Sequence, residues 1–147
     1  MDTKEFCKEL AKRISQNEWD ALDRCDPSLT ISDHNRETLL EMRALCTTSG
    51  ATDGQTLPSR NVDLDEVKSL AYHLQSYLDE YMSDKPEGHK WIILASLYLA
   101  YVAHRPMHPI NRTGIVLEEQ GETTVYRCPL KVEGDNPICD ACICIEK

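Results

Sequence analysis

A mainly α fold is what the sequence predicts: a helical bundle of four or five helices with a C-terminal β-hairpin and a Cys-rich metal-binding tail. Three observations predict it. Apolar residues recur at three- and four-residue spacing through the first hundred positions. Two β-type runs then flank a glycine-containing loop. Four of the seven cysteines lie in the last twenty residues. The expected division is 1–104 for the helical bundle and 105–147 for the hairpin and tail packed on it, within one structural domain.

The first helix is expected over residues 4–16, where Phe6, Leu10 and Ile14 share a face with Cys7 and Ala11 beside them. Trp19 and Leu22 extend the pattern after a break, and Pro27 ends it. A second helix is read over 31–47, with Leu39, Leu40, Met42 and Leu45 as its apolar positions and Ser32 or Asp33 as its cap. Residues 47–62 are rich in Ser, Thr and Gly and form a connector. They lack the lysine of a phosphate-binding P-loop. Residues 63–83 are the clearest helix. Asp63 and Glu66 have capping-box spacing, and Leu64, Val67, Leu70, Ala71, Leu74, Leu78 and Tyr81 form a stripe. Pro86 introduces a helix over 87–104 that is apolar nearly all round, as expected of a central helix. The short link between these last two helices makes them antiparallel neighbours.

Pro106 and Pro109 stop the helix. Gly114–Leu117 and Thr123–Tyr126 then read as the two strands of the hairpin. The second strand runs into Cys128-Pro129, and Cys139 and Cys142 form a C-x-x-C pair. Two residues between cysteines let a tight turn aim both sulfurs at one point, the knuckle of structural zinc sites. Cys128 is the expected third ligand. The fourth is expected to be His108, a neutral imidazole just before the hairpin. Cys144 is the alternative, set second because alternate residues of an extended segment point to opposite faces. His104 ranks third. Zinc is the expected cofactor. Ligation by all four tail cysteines would instead suit an iron–sulfur cluster.

The remaining candidates are read as structural. Cys7 belongs to the apolar side of the first helix, Cys46 lies at the end of a helix, and Cys25 beside Asp26-Pro27 is ambiguous. His89 is expected to be exposed in a first turn and His73 to sit at the edge of its helix stripe. Arg105 and Arg112 could hold an anion where helix meets hairpin.

Composition narrows the function. The formal net charge is −9, and no third of the chain is basic. Nucleic acid and anionic membrane surfaces are therefore disfavoured partners, since both are bound largely through Lys and Arg. The longest apolar run, Trp91–Ala103, is interrupted only by Ser96. It falls short of the roughly 20 residues that span a bilayer. The charged opening Met-Asp-Thr-Lys-Glu-Phe has no secretory pattern, so a cytoplasmic location is expected. There, clustered cysteines favour metal over disulfides. The expected function is a non-enzymatic zinc-binding interaction module with an unknown protein partner. The alternatives are an iron–sulfur redox protein and a zinc-dependent hydrolase using Asp140 or Glu118 as acid/base.

Three C-terminal segments carry a resemblance: Pro106-Met107-His108-Pro109, Tyr126-Arg127-Cys128-Pro129-Leu130-Lys131, and Asn136-Pro137-Ile138-Cys139-Asp140-Ala141-Cys142. Over about residues 105–144 the chain resembles an uncharacterised archaeal, mainly methanogen, family known as domain of unknown function 2115. It departs from that pattern at Asn111-Arg112-Thr113-Gly114 and by adding Cys144. The resemblance implies His108, Cys128, Cys139 and Cys142 as the residues to watch, and implies no activity.

Overall fold

A computed structural model of the chain describes residues 1–47, 60–108, 114–121, 123–129, 131, 134 and 136–146. Its elements are α1 (Thr3–Lys12), α2 (Gln16–Asp23), α3 (Asp33–Thr47), α4 (Leu64–Tyr81), a 3-10 turn (Pro86–Gly88), α5 (His89–Tyr98), a π turn (Leu99–Ala103), β1 (Val116–Gln120), β2 (Thr123–Cys128), α6 (Pro137–Ala141) and β3 (Ile145–Glu146). The mainly α bundle with a C-terminal hairpin is therefore the observed fold. The expected connector over 47–62 lies largely outside the described residues.

Helix starts follow from local chemistry. Asp2 accepts from the Glu5 amide at 2.8 Å, and Ser15 and Glu18 form a reciprocal capping box. Ser32 caps α3 by accepting from the Asn35 amide at 3.1 Å. Asp63 accepts from the amides of Asp65 and Glu66, so α4 begins where its spacing places it.

α5 is the hub, with α3 and α4 packed on it. Phe6 and Leu10 of α1, Leu39 and Met42 of α3, Leu70 and Leu74 of α4, and Trp91, Leu94 and Leu97 of α5 form one buried cluster. Polar ties brace it at the edges. Lys90 of α5 reaches Glu18 of α2 at 2.8 Å, and Arg43 of α3 grips Asp23 with two bonds while lying over the Trp19 ring. The 26–32 loop closes on the 3-10 turn. A Cβ on Gly88 would stand 2.9 Å from the Thr30 carbonyl oxygen, so only glycine fits this approach. The N-terminal residues pair with 60–62, through the Thr3 amide to Arg60 and the Val62 amide to the Met1 carbonyl.

Four features differ from the sequence expectation. Cys7 and Cys46 are joined as a disulfide between α1 and α3. His89 is buried, its Nε2 bonded to the Met82 carbonyl at 2.7 Å and its Nδ1 beside Gln75 at 3.1 Å. The link after α4 folds back over this ring, which neighbour spacing does not reveal. Leu64 and Tyr81, placed in the α4 stripe, are exposed at the first and last positions of that helix. The expected continuous helix over 87–104 is also split into three parts. It ends in the π turn, with His104 in the left-handed region at φ 50° and the Arg105 amide bonded back to the Leu99 carbonyl.

β1 and β2 pair antiparallel in the register Val116↔Arg127 to Gln120↔Thr123, with Gly121 at φ 64° in the turn. β3 adds to the other side of β2 in parallel, Arg127↔Ile145 and Cys128↔Glu146. α6, between them, packs on α4, and its Ile138 and Ala141 join the main apolar cluster. No helix among the described residues is long and apolar enough to cross a membrane.

Candidate metal centre

The tail cysteines are carried by three short elements. Cys128 ends β2, Cys139 lies within α6, and Cys142 and Cys144 follow that helix. α6 forms where it does because Pro137 suits a first helical position and the Asn136 side chain accepts from the Ile138 amide at 2.9 Å. The Gly134 amide donates to Asp140 Oδ1 at 2.9 Å, which draws the preceding loop onto the knuckle. At Cys142 the chain leaves the helix in an extended conformation. The parallel pairing of β3 then brings the last residues alongside Cys128.

The outcome is a small second cluster. Cys128 and Cys144 are buried with Ile115, and Tyr126 and Cys142 pack against them. All four tail cysteines are free thiols. Burial raises the Cys139 thiol above its ordinary value, and the nearby Cys142 and Cys128 add to the effect. Cys144 is pushed up to about 12, chiefly by burial, then by the charge of Cys142, a hydrogen bond with it, and Cys128. Cys139 and Cys144 thus each feel both Cys128 and Cys142. Lys131 opposes these shifts at both thiols. It is itself buried, with Nζ donating to the Cys142 carbonyl at 3.0 Å and to the Cys144 carbonyl.

Cys142 and Cys144 were expected to point apart. The bend at residues 142–143 breaks the two-residue alternation, and the two side chains meet. His108 is exposed, and the neighbour it perturbs electrostatically is His34 at the start of α3. His104 is half-buried, its pKa lowered by burial and by Arg60. Among the described residues, no group of three or more His, Cys, Asp or Glu side chains is arranged to hold a metal ion as it stands.

The acid/base candidates are engaged elsewhere. Glu118 takes a 2.6 Å bond from Arg127 on the hairpin, and Asp140 holds the Gly134 amide. Arg105 is bonded to Glu41, which also accepts from the Tyr98 hydroxyl at 2.6 Å. Its anion is therefore internal, and Arg112 lies outside the described residues. Burial and Glu41 together push the Tyr98 hydroxyl well above the usual phenol range. Sequence reasoning missed this network, because Glu41 and Tyr98 are far from Arg105 in sequence. It also passed over Lys131, whose place three residues after Cys128 was the available signal.

A family model for an uncharacterised protein conserved in archaea (DUF2115) matches residues 2–147. The match takes in the helical bundle as well as the tail. No curated protein and no solved structure matches the chain. The chain belongs to this archaeal family.

Proposed function

We propose that this member of an archaeal family is a zinc-binding protein. In this reading Cys128, Cys139 and Cys142 hold the metal, with His108 or Cys144 as fourth ligand. One observation carries it: the free thiols of Cys128, Cys142 and Cys144 pack in one small cluster, Cys139 of α6 lies near enough to feel Cys142 and Cys128, and the buried Lys131 side chain is bonded to the backbone beside them. Clustered thiols resist ionising next to one another, and a divalent cation removes that resistance. Thiolate donors around a C-x-x-C knuckle suit tetrahedral zinc.

When bound, zinc would supply a cross-link between β2 and the α6 segment. This chain's residues do the rest. Asn136 and Pro137 start the knuckle, Asp140 closes the loop before it, and Ile138 and Ala141 seat it against the bundle. Closure of the tail is then coupled to metal uptake, as in other small metal-organised segments. The role is structural, presenting a metal-fixed surface to a protein partner, because Glu118 and Asp140 are committed to Arg127 and to the Gly134 amide rather than free as a base.

Elemental analysis with a visible spectrum, on protein purified without oxygen and without a His-tag, tests this. About one zinc per chain and no colour is the expected result for a single site of this kind. Iron with sulfide and a brown colour would replace zinc with a cluster. Protein free of metal even after exposure to zinc would overturn the reading.

A further inference from the structure

Lys131 is the residue in the tail whose position is hardest to explain by packing alone. It is only 8% exposed, and lysine is rarely buried that far unless paired. Among the described residues it has no carboxylate partner, and its Nζ instead donates to the carbonyls of Cys142 and Cys144. Carbonyl dipoles soften the cost of a buried cation without neutralising it. Among the described residues, the groups that feel its charge are the thiols of Cys139 and Cys144, beside Cys128 and Cys142.

We infer that the tail site is an all-thiolate one, with Cys144 rather than His108 completing Cys128, Cys139 and Cys142, and with the buried ammonium of Lys131 as its built-in counter-charge. This rests on the metal-binding reading above. Cys144 is 2% exposed and shares one buried cluster with Cys128, against which Cys142 packs. His108 is exposed, and it acts electrostatically on His34 at the start of α3. Four thiolates around a divalent cation leave two net negative charges, a costly load for a buried site. Lys131 cancels one of them from inside. It also fixes the backbone on both sides of Ile143, which sets how the last two thiols are presented. On binding, each thiol gives its proton to solvent and forms one sulfur–metal bond. The ligand class is therefore a thiophilic divalent cation such as zinc or cadmium, in preference to magnesium or calcium.

Cobalt(II) is the probe, because sulfur-to-cobalt absorption grows with the number of thiolates. The wild-type chain, titrated without oxygen, should give a four-thiolate spectrum. Cys144→Ser should lose one thiolate's share of that absorption, and His108→Ala should leave it unchanged. Lys131→Met, which keeps the length and the apolar stem, should weaken cobalt and zinc binding by about 10- to 100-fold in competition with a chromophoric chelator. If Lys131→Met does not fold, Lys131→Arg carries this arm: it keeps the charge and should bind as the wild type does. A three-thiolate spectrum that collapses in His108→Ala would overturn this inference and leave the metal-binding reading standing. So would unchanged affinity in Lys131→Met, or loss of binding in Lys131→Arg. A wild-type chain that takes up no cobalt would overturn both.

Discussion

His34 and His104 each keep a buried Nε2 with no hydrogen-bond partner among the described residues. Burial lowers the pKa of His34, and the Met107 carbonyl, which accepts from the ring, only partly offsets this. The folded chain therefore holds this proton less tightly than the unfolded chain does. Between the two values the unfolded state binds more protons, so stability is full above the ordinary value of 6.5 and declines as pH falls below it. Denaturant midpoints measured at about pH 7.5 and about pH 5.5 should differ more for the wild type than for His34→Gln; equal differences would remove His34 from the explanation. His104 raises a backbone question as well, since φ 50° suits asparagine far better than a β-branched residue. His104→Asn should be nearly neutral, while His104→Val should cost about 1–2 kcal/mol in urea unfolding. Similar losses in both would show that the ring, not the backbone, matters there. The C-x-x-C knuckle was legible at this scale because its spacing is its chemistry. The meeting of Cys142 with Cys144 was not, since it depends on a bend that a rule of alternation cannot foresee.

Elements succeed or fail on their contacts. Gly88→Ala puts a methyl against the Thr30 carbonyl at 2.9 Å, so the 26–32 loop must move off the 3-10 turn. A loss of about 1–3 kcal/mol is expected, of the size that overpacking costs. Chemical denaturation of the Ala variant measures it, and a neutral result would mean that the loop gives way freely. The long helices were legible because each buries a stripe at three- and four-residue spacing, as Leu70, Leu74 and Leu78 do on α4. The hairpin was legible from two β-type runs around Gly121. β3 was not: it is two residues long, and its place follows from α6 docking on α4 rather than from any pattern of its own.

Across the whole molecule, the Cys7–Cys46 disulfide spans a sequence separation of 39 residues and ties the first helix to the end of the third. Cross-linking a loop of this length removes unfolded-state entropy, and its reduction should cost about 2–4 kcal/mol. A phosphine reductant should lower the unfolding midpoint of the wild type and leave that of Cys46→Ala unmoved. A wild type indifferent to reductant would show that the bond adds nothing to stability. The sequence placed Cys7 on a helix face and Cys46 at a helix end but could not pair them, because their approach is set by how α1 packs on α3. The π turn has a longer reach. Leu99–Ala103 takes up one residue more than an ordinary α turn over the same stretch. If that stretch wound as regular α-helix with every residue kept, everything beyond it would rotate by about 100° about the helix axis. Arg105 would leave Glu41, and the hairpin would face a different side of the bundle. The orientation of the cysteine tail is thus a matter of helical phase, kept by one inserted residue nearly forty positions upstream of the knuckle.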